Sequence, residues 1–108
     1  MNNKIILYID DDSDKWLKVL EPVAGYHGFT IIPSDSVKDG RLQLDNFNAV
    51  IDCVLLDLGF PNEKDQGKDL LKEIKEKYQN LPVIILTASD KAEDLRTAVE
   101  CIKMGAFD

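Results

Sequence analysis

Three short apolar runs, each closing on oxygen-bearing polar residues, organise the chain. Ile5-Ile6-Leu7-Tyr8-Ile9 runs into Asp10-Asp11-Asp12, Cys53-Val54-Leu55-Leu56 into Asp57, and Val83-Ile84-Ile85-Leu86 into Thr87-Ala88-Ser89. Uninterrupted apolar runs of this length suit strands buried on both faces. Amphipathic stretches lie between them. This alternation predicts an α/β domain built on a doubly wound parallel sheet.

After the first strand, Trp16, Leu17, Leu20 and Ala24 form a helical stripe. Asp12 or Ser13 can cap this helix, because their oxygens accept bonds from free backbone N–H groups. Pro22 should kink or end it, and Gly25 and Gly28 supply the turn. Phe29 to Ile32 reads as a second strand, stopped by Pro33. Between Ser36 and Phe47 a short helix is expected, although Val37, Leu42 and Leu44 make a poor stripe and Gly40 weakens it. Ala49-Val50-Ile51 leads toward the third strand, with Asp52 interrupting the apolar run.

The stretch from Leu58 to Gly67 is rich in Gly, Pro, Asn and Asp and reads as a loop. A helix over 68–79 follows, with Leu70, Leu71, Ile74 and Tyr78 on one face. Asn80-Leu81-Pro82 breaks it before the fourth strand. The last helix, over 92–104, carries Leu95, Ala98, Val99 and Ile102 at i, i+3, i+4 and i+7 and is capped by Gly105.

If the strands are parallel, their polar ends share one rim, where open α/β sheets bind ligands. Asp57 then sits where its strand leaves the core, so its carboxylate is expected to reach solvent. The expected pocket holds Asp10, Asp11, Asp57 and Thr87. Converging carboxylates raise one another's pKa values. A divalent cation such as Mg²⁺ relieves that repulsion and accepts phosphate oxygens as further ligands. One carboxylate can then serve as a nucleophile toward a phosphoryl group. Thr87 could hydrogen-bond a phosphoryl oxygen, and Ala88 leaves room for it. Helix capping and turn formation account for the same aspartates without any metal. The Asp triplet is the more specific element, and a lone Asp after Leu-Leu is weaker.

Composition narrows the function classes. With 108 residues, the chain fits one domain. The net charge of −7 repels a phosphate backbone, so direct nucleic-acid contact is not expected. No apolar run approaches the roughly 20 residues that span a bilayer. The first apolar run is too short for a signal peptide, so a cytoplasmic location is expected. Cys53 and Cys101 read as free thiols rather than as a disulfide or metal site. His27 falls in a turn, Gly25-Tyr26-His27-Gly28, and is not read as catalytic.

These motifs together resemble the receiver domain of two-component response regulators. The resemblance rests on Ile9-Asp10-Asp11-Asp12, on Val54-Leu55-Leu56-Asp57-Leu58 with Pro61 beyond, and on Gly67 before Leu70-Leu71-Lys72-Glu73-Ile74. Pro82-Val83-Ile84-Ile85-Leu86-Thr87-Ala88 and Ala98-Val99-Glu100 with Lys103-Met104-Gly105-Ala106 complete it. It covers essentially all of residues 1–108 and implies a flavodoxin-like strand order 2-1-3-4. It also implies that Asp57 is the phosphoacceptor, taking its group from a phosphohistidine on a sensor histidine kinase or phosphotransfer protein. Asp11 would ligate Mg²⁺ directly, Asp10 would assist through water, and Asp57 and the Gly59 carbonyl would be further ligands. Thr87 would contact the phosphoryl group and switch. The domain would be an acceptor in a phosphorelay rather than an enzyme.

Two departures qualify the resemblance. The loop after Asp57 is longer than in typical members. Members also continue past Gly-Ala-x-Asp into a fifth strand, a Lys-Pro pair and a fifth helix, none of which lies within the 108 residues. Lys103 matches a helix position and does not replace that Lys. The expectation is a C-terminally incomplete receiver domain, with an output domain beyond residue 108. An exposed apolar fourth strand would then invite self-association. The alternative is a receiver-like protein–protein interaction module with an impaired phosphorylation site. A phosphatase of the aspartate-nucleophile type would need a second Asp where this chain has Gly59. Flavin phosphate would be repelled by Asp10-Asp11-Asp12.

Overall fold

The computed structural model describes residues 4–58, 66–86 and 90–104. Strands and helices alternate along the chain as β1 (Lys4–Ile9), α1 (Ser13–Tyr26), β2 (Phe29–Ser34), α2 (Val37–Phe47), β3 (Cys53–Asp57), α3 (Gln66–Lys77), β4 (Val83–Leu86) and α4 (Lys91–Met104). The sheet order is β2-β1-β3-β4, and every pairing is parallel. This is the expected doubly wound architecture and strand order.

The apolar runs are buried on both faces because helices cover both. On one face Ile6, Tyr8, Cys53, Leu55 and Leu86 meet α1 through Leu20 and Ala24, and α4 through Ala98 and Ile102. On the other, Leu7, Ile9, Val54 and Leu56 meet α2 through Val37 and Leu44, and α3 through Leu70 and Ile74. The face shared by α2 and α3 is tied further by Arg41, whose guanidinium grips Glu73 with two bonds of 2.9 and 3.0 Å.

Several local expectations are corrected by packing. Pro22 does not end α1, which continues to Tyr26 and includes Gly25. Pro22 gives up one backbone bond, but burial of Leu20 and Ala24 on either side of it holds the helix to the sheet. The turn falls to Gly28, at φ +83°. Pro33 does not stop β2, which runs to Ser34. β2 is an edge strand, where a residue without an N–H is tolerated. The Ser34 carbonyl still accepts from the Asp10 N–H at 2.9 Å.

The weakly patterned helix exists because of Gly40, not despite it. A Cβ at Gly40 would lie 2.8 Å from Ile9 Cδ1, so the missing side chain lets α2 approach β1 closely. Ser36 caps the helix, accepting from the Asp39 N–H at 3.0 Å. Leu42, expected on the buried stripe, is exposed instead. Val50 is exposed too, and β3 begins only at Cys53. Asp52, the apparent interruption, anchors the start of the sheet: its carboxylate accepts from the Ile5 N–H at 2.7 Å. Both cysteines are free, Cys53 buried and Cys101 half-buried. The expected Gly105 cap lies outside the described residues.

Candidate functional site

Parallel pairing of β1 with β3 decides which carboxylates meet. Ile9 is in register with Leu56, so the next residues, Asp10 and Asp57, leave the sheet side by side. Asp10 is fully buried and Asp57 is 5% exposed. The expectation that the Asp57 carboxylate reaches solvent is therefore corrected. Both acids also meet a residue that no sequence motif singled out. Lys91, at the start of α4, places its Nζ 2.6 Å from Asp57 Oδ2 and 2.7 Å from Asp10 Oδ2. The ammonium bridges the two acids.

Asp10 is held by three donors. Oδ2 accepts from the Tyr8 hydroxyl at 2.5 Å and from Lys91, and Oδ1 accepts from the Asp12 N–H at 2.9 Å. Burial alone would raise the Asp10 pKa, but these hydrogen bonds and the Lys91 charge outweigh it and hold the acid below its ordinary range. Burial likewise disfavours the charged form of Lys91, yet bonds to Asp10 and Asp57 and their charges win, and the ammonium stays well above the usual lysine range. Burial pushes the Tyr8 phenol up, and the bond to Asp10 adds to it, so Tyr8 remains a donor.

Asp11 and Asp12 are exposed at the mouth. Desolvation, followed by interaction with Asp10 and the charges of Asp12 and Asp57, raises the Asp11 pKa. Carboxylate oxygens of Asp10, Asp11 and Asp12 lie within 4.8 Å of one another. These are hard oxygen donors, of the type that suits Mg²⁺ or Ca²⁺. Asp12, expected as a helix cap, precedes α1 but makes no side-chain cap bond. Its carboxylate joins the acidic cluster instead. Of the expected site residues, Asp10, Asp11 and Asp57 are brought together; Thr87 and Gly59 lie outside the described residues.

Lys91 carried one faint sequence signal. It opens α4 just after the helix cap Asp90, whose Oδ1 accepts from the Ala92 N–H at 3.0 Å. Cations are disfavoured at that end of a helix by the macrodipole.

A family model described as the response regulator receiver domain matches residues 6–108. The chain belongs to the response regulator receiver family. Among curated receiver-containing relatives, it is 35% identical over 109 aligned positions to the DNA-binding transcriptional regulator NtrC of Salmonella typhimurium, covering 100% of this chain and 21% of that protein. The chain spans from 20% to 34% of the length of the curated relatives it matches. Among solved receivers, a response regulator receiver domain protein from Clostridium thermocellum superposes with a TM-score of 0.69 at 30% identity, over 94% of this chain and 76% of the other. The response regulator TrrA of Thermotoga maritima, solved in complex with Mg²⁺-BeF, superposes with a TM-score of 0.67 at 25% identity, over 89% and 80%. Among the described residues, no helix is long and apolar enough to cross a membrane.

Proposed function

We propose that Asp57 is the phosphoacceptor of a two-component phosphorelay. The observation that carries this reading is the register that sets Asp10 beside Asp57 at one sheet rim, bridged by the Lys91 ammonium. The Mg²⁺-BeF complex of the similar TrrA supports it, since a receiver of this fold takes that pair of groups.

In this reading a carboxylate oxygen of Asp57 attacks the phosphorus of a phosphohistidine on a sensor kinase or phosphotransfer protein. The O–P bond forms as the P–N bond breaks, and the imidazole nitrogen leaves with the electron pair. Asp57 carries an acyl phosphate afterwards. Asp10, Asp11, Asp57 and the Gly59 carbonyl would hold Mg²⁺, with Asp12 close enough to assist. Bound there, Mg²⁺ would neutralise charge on the transferring phosphoryl oxygens. Thr87 would hydrogen-bond one of those oxygens. The chain acts as an acceptor, not as an enzyme with its own substrate turnover. A cytoplasmic setting follows from a kinase partner, and an output domain lies in the longer proteins of this kind.

Incubation with Mg²⁺ and acetyl phosphate, followed by intact mass, tests the proposal. One added phosphoryl group is expected on the wild type and none on Asp57→Asn. No adduct on the wild type, together with no beryllofluoride binding, would remove the reading.

A further inference from the structure

Lys91 stands where local preference would not put it. It is the first residue of α4, the position at which the helix macrodipole repels positive charge. The next residues of that turn, Glu93 and Asp94, are acidic, as the dipole favours. The lysine side chain nevertheless turns inward until it is only 25% exposed. The compensation is the pocket: its Nζ spans Asp10 Oδ2 and Asp57 Oδ2 at 2.7 and 2.6 Å. A break with a local rule that is repaid only at a functional site is a mark of function.

The acceptor arithmetic makes this bridge exclusive at Oδ2. Asp10 Oδ2 has two lone-pair directions, and it already accepts from Tyr8 and Lys91. Tyr8 is fully buried in the core and cannot withdraw. A metal ion drawing on that oxygen must therefore displace Lys91. A divalent ion in the pocket would also repel the ammonium at a few ångströms.

We propose that Lys91 is a tethered cation that competes with Mg²⁺ for the acceptor pocket, so that metal loading releases the start of α4. Lys91 is thus a positioning residue that sets metal affinity and links the pocket to α4. The proposal rests on the Mg²⁺ reading given above.

The test is Mg²⁺ titration by calorimetry, with amide NMR spectra recorded at each step. Lys91→Met keeps the apolar stem and removes the charge; Lys91→Gln gives the same comparison should Lys91→Met not fold. Lys103→Met removes an exposed charge from the same helix and serves as control. The expected result is Mg²⁺ binding at least about tenfold tighter in Lys91→Met, within twofold of wild type in Lys103→Met, and weak in Lys91→Arg. In the wild type, Mg²⁺ should shift the amides of Ala92, Glu93 and Asp94. Equal Mg²⁺ affinity in wild type and Lys91→Met would overturn the competition while leaving the phosphoacceptor reading intact. No Mg²⁺ binding by either protein would overturn both.

Discussion

The Tyr8 hydroxyl donates a 2.5 Å hydrogen bond to Asp10 Oδ2 from inside the core. Both groups are fully buried, so the acid is gripped from below by the sheet that carries it. A hydrogen bond to a charged group contributes about 1.5–3 kcal/mol. Tyr8→Phe should lose roughly that much stability, read as a lower urea midpoint with an unchanged slope. The Asp10 pKa should rise in the variant, since one of its three donors is gone.

Acid should weaken the fold through the same residue. Asp10 is held below its ordinary pKa, so it stabilises the folded chain above the unfolded value of about 3.9, and that contribution is lost as pH falls through the folded value. Lys91 is raised, so its contribution is complete below about 10.4 and fades only at higher pH. Without metal, urea midpoints should therefore be level across neutral pH and drop below about pH 4. Asp10→Asn should flatten that drop.

Asp11 should behave in the opposite sense. Its pKa is raised, so its charged form opposes folding at neutral pH. Asp11→Asn should stabilise the metal-free protein, by up to about 1 kcal/mol because the group is exposed and screened. The same variant should lose Mg²⁺ binding. Thermal melts with and without Mg²⁺ separate the two effects.

Gly40 and Ile9 make a coupled pair. Ala is the better helix former by about 1 kcal/mol, yet its Cβ would meet Ile9 Cδ1 at 2.8 Å and Cγ1 at 3.1 Å. Ile9 is fully buried, so its side chain must shift within the core. Gly40→Ala should cost about 1–3 kcal/mol in the wild type. In an Ile9→Val background, which lacks Cδ1, the same change should cost much less. A double-mutant cycle by urea unfolding measures the coupling.

Among the described residues, β4 forms one edge of the sheet, and its Val83, Ile84 and Ile85 are half-buried. An apolar edge invites a further strand. The 108-residue chain should associate with itself as concentration rises, visible as a growing mass in light scattering. A constant monomer mass at high concentration would count against pairing there.

The strands were legible because long-range burial leaves a local trace: Val54-Leu55-Leu56 is apolar at every position since both faces are covered; the order 2-1-3-4 came only from the resemblance to receiver domains. The carboxylates were legible because Asp10 and Asp57 each end such a run. What stayed hidden depends on geometry between elements. Pro22 and Pro33 look like stops until burial around α1 and the edge position of β2 are known. Gly40 looks like a helix weakener until Ile9 is seen beneath it. Lys91 meets Asp10 from 81 positions away, and no periodicity reports such a bond.

One consequence concerns the side of the sheet on which α4 rests. It shares the α1 face, whereas α2 and α3 occupy the other. Moving outward from β3 to β4, the chain passes through α3, which gives the right-handed crossover found in about 98% of such units. A further parallel strand reached from α4 and laid outside β4 would be a left-handed one while α4 stays where it is. Such a strand would therefore require α4 to change sides.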